Sequence, residues 1–169
     1  MLRKLRESDA EWMLEWMHNE ENTRYFKRDF SNMQVEDCRE YIRSTWEDKD
    51  DFHFAVCDES EEYLGTISLK QVDLENGTAE YAISLRNVAM GKGVASKATN
   101  EILKFAFEKL NLNRVYLNVL ADNVRARRFY EKYGFIYEGA WKEHYVLRGK
   151  KRDLLWFRIL KEEWVERQS

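Results

Sequence analysis

Two glycines with one lysine between them interrupt the middle of the chain, in the sequence AMGKGVASKA. Gly91 and Gly93 follow a stretch of alternating apolar and polar residues, and a helical pattern begins just after them. Glycine lets main-chain N–H groups approach a ligand closely, and the first N–H groups of a helix have no partner within that helix. A phosphate or pyrophosphate would fit such a site, and a tight turn without a ligand is the alternative interpretation.

A second group of candidate residues lies in NVRARRFYEKYGF, at 123–135. Tyr130 carries a phenol, whose ordinary pKa of about 10 keeps it protonated at neutral pH, so it can supply a proton. Packing of the short helix together with Phe129 and Tyr133 is the alternative role. Asn123 precedes this helix, at a place where asparagine commonly caps a helix N-terminus.

Glu80 lies in TAEYAISL, at 78–85, which reads as a strand. Because successive side chains of a strand point to opposite faces, Glu80 and Ser84 lie on the face opposite to Tyr81 and Ile83. The Glu80 carboxylate is a candidate general base, and an ordinary solvent-facing glutamate is the alternative. His144, in WKEHYVL, is a second candidate because imidazole titrates near neutral pH.

Hydrophobic periodicity predicts the elements that position these residues. A helix is expected to follow Ser8, with Trp12 and Trp16 sharing its buried side. The order of elements indicates an α+β fold with a mixed sheet rather than a doubly wound one. Strands are predicted at 2–6, 52–58, 63–73, 78–85, 114–120, 135–147 and 153–160, and further helices at 34–47, from the glycines to about 109, and at 124–133.

Composition and charge exclude several broad classes of protein. A chain of 169 residues with 14% aromatic residues can bury a core, and we expect one domain, 1–169. The formal net charge of −3 gives no general attraction to nucleic acid. No signal-peptide core or membrane-spanning run is seen, so we expect a cytoplasmic protein with no nucleic-acid or membrane partner. Cys38 and Cys57 lack zinc-site spacing, so we expect free buried thiols and no metal.

Two common phosphate-binding motifs do not fit the glycine turn. A Walker loop requires G-x-x-x-x-G-K-[ST], which GKGVASK does not supply. A Rossmann turn requires G-x-G-x-x-G/A, and the third small position here is Ser96. The Rossmann turn also opens the first βαβ unit of its fold, whereas this turn lies in mid-chain. A dinucleotide-binding protein therefore stays a minor alternative.

The stretch MGKGVASKA resembles the acyl-CoA pyrophosphate loop of the GNAT N-acetyltransferases, whose pattern is [QR]-x-x-G-x-[GA]. Gly93 and Ala95 match this pattern, whereas Met90 stands where glutamine or arginine is usual and so removes one side-chain contact. The stretch NVRARRFYEKYGF matches the family signature N-x-x-A-x-x-F-Y-x-K-x-G-F. Two motifs in the family order make the resemblance specific over 78–137, and the order of elements extends it along most of the chain.

The resemblance implies a GNAT-type, mostly antiparallel central sheet of about seven strands flanked by about four helices. It also implies direct transfer of an acetyl group from acetyl-CoA to a primary amine in a ternary complex. Tyr130 would be the general acid for the leaving thiolate, and Glu80 the base for the amine, with His144 or water as alternatives. Cofactor contacts are implied for Ile83, Ser84, Leu85 and Asn123, and pyrophosphate contacts for Gly91, Lys92, Gly93, Val94, Ala95 and Ser96.

The acceptor amine stays open at this point. The chain resembles the branch of the family that acetylates ribosomal-protein N-termini, spermidine and nucleotide-linked amino sugars, so we expect an amino sugar, a polyamine or a protein N-terminus. The stretch 15–26 would form part of the acceptor pocket. A homodimer is compatible with the sequence. A catalytically silent acyl-CoA-binding module is the alternative, although Asn123 and Tyr130 favour an enzyme.

Overall fold

The computed structural model describes all residues, 1–169, as seven strands and six α-helices. The strands are Leu2–Lys4 (β1), Phe52–Cys57 (β2), Tyr63–Asp73 (β3), Thr78–Leu85 (β4), Arg114–Leu120 (β5), Ile136–Leu147 (β6) and Lys150–Leu160 (β7). The helices are Ala10–Met17 (α1), Glu20–Thr23 (α2), Val35–Glu47 (α3), Val94–Lys104 (α4), Val124–Tyr133 (α5) and Lys161–Gln168 (α6). None of these helices combines the length and the apolar character that a membrane crossing requires.

The strands form one sheet in the order β1-β2-β3-β4-β5-β7-β6. Every neighbouring pair is antiparallel except β4 and β5, so the predicted α+β fold with a mixed, mostly antiparallel sheet is confirmed. The expected number of helices was too low. The two helices that were not predicted are α2, a single turn whose N–H groups are capped by the Asn19 side chain, and α6, which directly continues β7.

The parallel pair, β4 and β5, is joined over three residues only. Its register places Thr78–Glu80 opposite Arg114–Tyr116. Beyond these residues the two strands have no pairing with each other, although β4 continues to Leu85 and β5 to Leu120. We call the opening between residues 81–85 and 117–120 the fork. Unpaired main-chain N–H and C=O groups along the fork are strong hydrogen-bonding groups that need partners.

Helices cover the two faces of the sheet unequally. On the face of Tyr81 and Leu117, α4, α5 and α6 close the main core, which contains the fully buried Ile102 and Phe107. On the opposite face, α1 and α3 pack a second core near the β2 end of the sheet. This second core does not extend to Glu80, so the sheet face beside Glu80 is not covered by a helix and stays accessible. The expected free, buried thiols are confirmed for both cysteines.

The prediction that two tryptophans share the buried side of α1 is wrong for one of them. Trp16 is buried, whereas Trp12 is 40% exposed. The Trp12 ring lies 4.2 Å from the guanidinium of Arg86, in a cation–π contact. Arg86 is itself buried and also binds the carboxylates of Glu15 and Glu62. Trp12 therefore covers a buried charge instead of filling the core.

Candidate active site

The turn between β4 and α4 depends on its two glycines for its backbone conformation. Gly91 and Gly93 have φ values of +73° and +74°, in the left-handed region that other residues avoid. A Cβ atom built on either glycine would meet no other atom within 4 Å. The turn therefore requires glycine because of its φ angles, and it leaves open space over its main chain.

Helix α4 begins immediately after Gly93 without any side-chain cap. The first main-chain hydrogen bond of α4 runs from Lys97 N–H to Gly93 O, at 3.1 Å. The N–H groups of Val94, Ala95 and Ser96 therefore have no main-chain partner within the helix. The first turn contains no acidic residue. These three donors and the positive end of the helix dipole could hold an anion beside the open turn.

The strand register shows which main-chain groups of β4 face the fork. Arg86 N–H donates to Leu64 O at 2.8 Å, across to β3. Because main-chain groups alternate between the two neighbours of a strand, even-numbered residues of β4, including Ser84, direct their groups to β3. Tyr81, Ile83 and Leu85 then direct theirs to the fork. Of the three residues expected to bind through their main chain, Ile83 and Leu85 face this opening.

Tyr130 of α5 lies at the closed end of the fork. Its ring stands edge-on to Tyr81 of β4, with centroids 6.0 Å apart, and lies 6.5 Å from Phe157, which is paired with Leu117 of β5. Its ring therefore lies beside one strand that borders the opening, β4, and beside the strand that pairs with the other, β7. The Tyr130 hydroxyl has no hydrogen-bond partner in the protein, whereas the neighbouring Tyr81 hydroxyl is bonded to Thr99 at 2.8 Å. Burial raises the pKa of Tyr130 to about 12, which keeps the phenol protonated.

Asn123 caps α5, as its alternative interpretation predicted. Its Oδ1 accepts a hydrogen bond from Ala126 N–H at 3.3 Å, and its side-chain nitrogen has no protein partner. Gly134 ends the helix in the left-handed region, with φ of +116°. Arg127 folds back and donates to Ala121 O at 3.0 Å, so it braces the turn between β5 and α5.

Glu80 lies on the opposite face of the sheet from Tyr81 and Tyr130. Its carboxylate accepts hydrogen bonds from Asn118 Nδ2 at 3.1 Å and Gln71 Nε2 at 3.2 Å, and lies 3.6 Å from Lys70 Nζ. Its side chain is 12% exposed. Three neighbours thus hold one oriented carboxylate where the fork begins.

An aromatic surface continues from Asn118 across the same face. Asn118 is paired with Trp156 of β7, whose ring lies 4.5 Å from that of Trp141. His144 is exposed and stacks edge-on against Trp141 at 4.6 Å. We call Trp141 and Trp156 the aromatic wall. His144 lies beyond this wall and makes no hydrogen bond with Glu80, so the two base candidates are separate.

Sequence reasoning missed the groups that hold Glu80. Asn118 could have been found, because it alternates with buried Val115 and Leu117 in RVYLNVL and shares a strand with them. Lys70 and Gln71 could not have been found, because their approach to Glu80 depends on the register between β3 and β4. The aromatic wall likewise depends on pairing between strands distant in the sequence.

Comparisons with known proteins extend the likeness beyond the two motifs. A family model described as an acetyltransferase (GNAT) domain matches residues 1–136. The spermidine N(1)-acetyltransferase of Vibrio cholerae is 28% identical over 173 residues, which cover 99% of this chain and 96% of that protein. The putative ribosomal N-acetyltransferase YdaF of Bacillus subtilis is 34% identical over 100 residues, which cover 59% of this chain and 55% of that protein.

A solved structure supports the same likeness in three dimensions. The crystal structure of spermidine N-acetyltransferase from Vibrio cholerae in complex with CoA and spermine matches with a TM-score of 0.87 and 25% identity. The match covers 98% of this chain and 97% of that one. It therefore includes β6, β7 and α6, which follow the residues matched by the family model.

Proposed function

The chain belongs to the GNAT acetyltransferase family and is an N-acetyltransferase, and on that premise we propose that it transfers the acetyl group of acetyl-CoA directly to a primary amine of a polyamine. One observation carries the proposal for the chemistry. Tyr130 holds a protonated, unpartnered hydroxyl at the fork, where main-chain groups of β4 also lack partners. A proton donor thus lies beside groups that can hold an extended substrate.

The residues present fit coenzyme A as a substrate. The N–H groups of the open turn and of the first turn of α4, from Gly91 to Ser96, would bind the diphosphate, and Lys92 would supply a nearby positive charge. Ile83 and Leu85 would bind the pantetheine arm through their main chain, as a further strand does. The free side-chain nitrogen of Asn123 would donate to the same arm. Bound acetyl-CoA supplies the activated thioester.

Tyr130 would protonate the sulfur as the thiolate departs. Its raised pKa means that the phenol carries its proton throughout the neutral range. The absence of a competing hydrogen bond leaves the hydroxyl free to approach the substrate.

Glu80 would receive the proton of the amine, directly or through water. An alkylammonium has a pKa near 10, so only about one molecule in a thousand is deprotonated at neutral pH, and a base near the acceptor raises the reactive fraction. Asn118 and Gln71 hold this carboxylate towards the accessible face. Asn118 connects it to the aromatic wall, where an approaching cationic amine would contact π faces.

Replacing Glu80 by glutamine should lower kcat/KM about 10- to 100-fold at pH 6.5, with a smaller loss at pH 10, where much of the amine is already deprotonated. Steady-state rates across this pH range measure the effect. Glu75→Gln is the matched control, because Glu75 lies exposed in the turn after β3 and should leave the profile unchanged. A Glu80→Gln enzyme with the normal profile would assign the proton transfer to His144 or water.

A polyamine acceptor is supported by the full-length likeness to a spermidine acetyltransferase and by the aromatic wall beside Glu80. The test is a competitive screen with spermidine, a UDP-amino sugar and an N-terminal peptide. We expect kcat/KM for spermidine to exceed the others by at least about tenfold, which is 1.4 kcal/mol of discrimination. Preference for the peptide would favour the activity named for YdaF. Tight CoA binding with no turnover would indicate a silent module.

The proposal also includes the domain organisation, the location and the partners of the chain. Residues 1–169 form one domain in this proposal, because a single sheet includes both β1 and β7. The two free thiols support a reducing, cytoplasmic location. The net charge of −3 supports a protein without a nucleic-acid partner, and we propose no membrane partner. A homodimer would use the edge strand β6, where Tyr137 and Trp141 are about half exposed.

A further inference from the structure

Three potential metal ligands converge where α3 leads into β2, away from Tyr130 and the glycine turn. His53 Nε2 lies 3.9 Å from Asp48 Oδ2 and 4.0 Å from Asp51 Oδ2. These distances exceed those of a hydrogen bond, so the imidazole nitrogen is bonded to neither carboxylate. Ligand bonds of about 2 Å at tetrahedral angles place two ligand atoms of one divalent ion about 3.3 Å apart. The three atoms lie within 4.8 Å of one another, so side-chain shifts of about 1 Å would bring them onto one ion.

The His53 ring is held in place through one nitrogen, by Ser68 and the Tyr41 hydroxyl, and its other nitrogen is left free. Its side chain is 10% exposed, and its Nδ1 lies 2.7 Å from the Oγ of buried Ser68. Its Nε2 has no hydrogen-bond partner and faces the two aspartates. Orientation of a histidine ligand through its other nitrogen is typical of metal sites.

Each carboxylate also has one oxygen engaged and the other free. Asp48 Oδ1 accepts the N–H groups of Asp50 and Asp51, at 2.9 and 3.0 Å. Asp51 Oδ1 accepts Gln71 N–H at 2.7 Å. The second oxygen of each carboxylate is the one nearest to His53 Nε2. The hydrogen bonds thus hold both aspartates in place. Three ligand atoms without a protein hydrogen-bond partner, His53 Nε2, Asp48 Oδ2 and Asp51 Oδ2, lie around one position.

We propose that Asp48, Asp51 and His53 bind one divalent transition-metal ion, with zinc as the best match. One imidazole nitrogen and two carboxylate oxygens suit zinc, and water would complete its coordination. The imidazole must be neutral to act as a ligand. This proposal departs from the expectation that the chain binds no metal.

The test is zinc binding to the full chain after treatment with EDTA, followed by calorimetry and thermal unfolding. We expect one equivalent of zinc to bind. At zinc concentrations 100-fold above Kd, the Tm should rise by about 5 °C or more. His53→Ala and Asp48→Asn should each weaken binding at least tenfold. Asp48→Asn serves as the second variant because Asp48 is exposed and its loss is least disruptive to folding.

Asp50→Asn is the matched control, because it removes the same charge from the same turn without touching the three ligands. It should bind zinc as the unaltered chain does. No binding by the unaltered chain, or equal binding by Asp50→Asn and Asp48→Asn, would overturn the metal site. Because the readout is binding rather than turnover, either result leaves the acetyltransferase proposal intact.

Discussion

Tyr130→Phe should lower kcat by about 100-fold or more, because removing a general acid typically costs a factor of 10² to 10⁴. The KM for acetyl-CoA should change by less than about threefold, since the phenol acts on the departing sulfur rather than on the bound substrate. The free energy of unfolding should change by less than about 1 kcal/mol, because the hydroxyl has no hydrogen bond to lose. Steady-state kinetics and a denaturant titration measure these three quantities.

Tyr133→Phe provides the control for that substitution. Tyr133 lies on the same helix, and its ring packs beside Arg167 of α6. It should retain nearly full kcat. The unaltered enzyme adds a second readout, because a phenol with a pKa of about 12 donates its proton at every pH below that value. The rate should therefore not decline between pH 8 and about 10.5 through ionisation of Tyr130. Full activity of Tyr130→Phe would remove the residue from the mechanism.

Gly93→Ala should raise the KM for acetyl-CoA by about tenfold or more, with a smaller effect on kcat. The added Cβ meets no neighbour, but a left-handed conformation costs a non-glycine residue about 1–2 kcal/mol. The turn would relax and redirect the N–H groups that we propose bind the diphosphate. Initial rates at varied acetyl-CoA concentration measure the KM, and isothermal titration with CoA measures the binding directly.

Gly149→Ala separates this effect from general strain. Gly149, in the turn between β6 and β7, has the same φ of +74° and the same open surroundings as Gly93. Both variants should lose about 1 kcal/mol of stability, or about 2–4 °C in Tm. Only Gly93→Ala should change the KM for acetyl-CoA. Equal KM values in the two variants would mean that the glycine turn does not bind the diphosphate.

The sequence alone predicts the strands around the site closely. β3, β4 and β5 match their predicted bounds because alternating apolar residues fix which face each strand buries. The terminal helix α6 was missed because KEEWVERQS carries a single buried residue, Trp164, and thus almost no periodic signal. Trp12 was misplaced because helical spacing does not reveal the buried Arg86, which directly follows β4.

The site was predictable only where it is local in the sequence. The glycine turn and the motif containing Asn123 and Tyr130 are each read from one short stretch. The fork arises from a parallel pairing between β4 and β5, which are separated in the sequence by α4. No local sequence pattern predicts the residue at which that pairing ends. The three proposed metal ligands were likewise not predicted, because His53 faces Asp48 and Asp51 only after the chain turns from α3 into β2.

A crystal structure with bound CoA tests the proposed site most directly. We predict that the diphosphate lies within hydrogen-bond distance of the main-chain N–H groups between Gly91 and Ser96. The pantetheine arm should enter the fork beside Ile83 and Leu85, and the sulfur should lie within about 4 Å of the Tyr130 hydroxyl. A CoA molecule bound elsewhere, with its sulfur remote from Tyr130, would contradict the proposed mechanism.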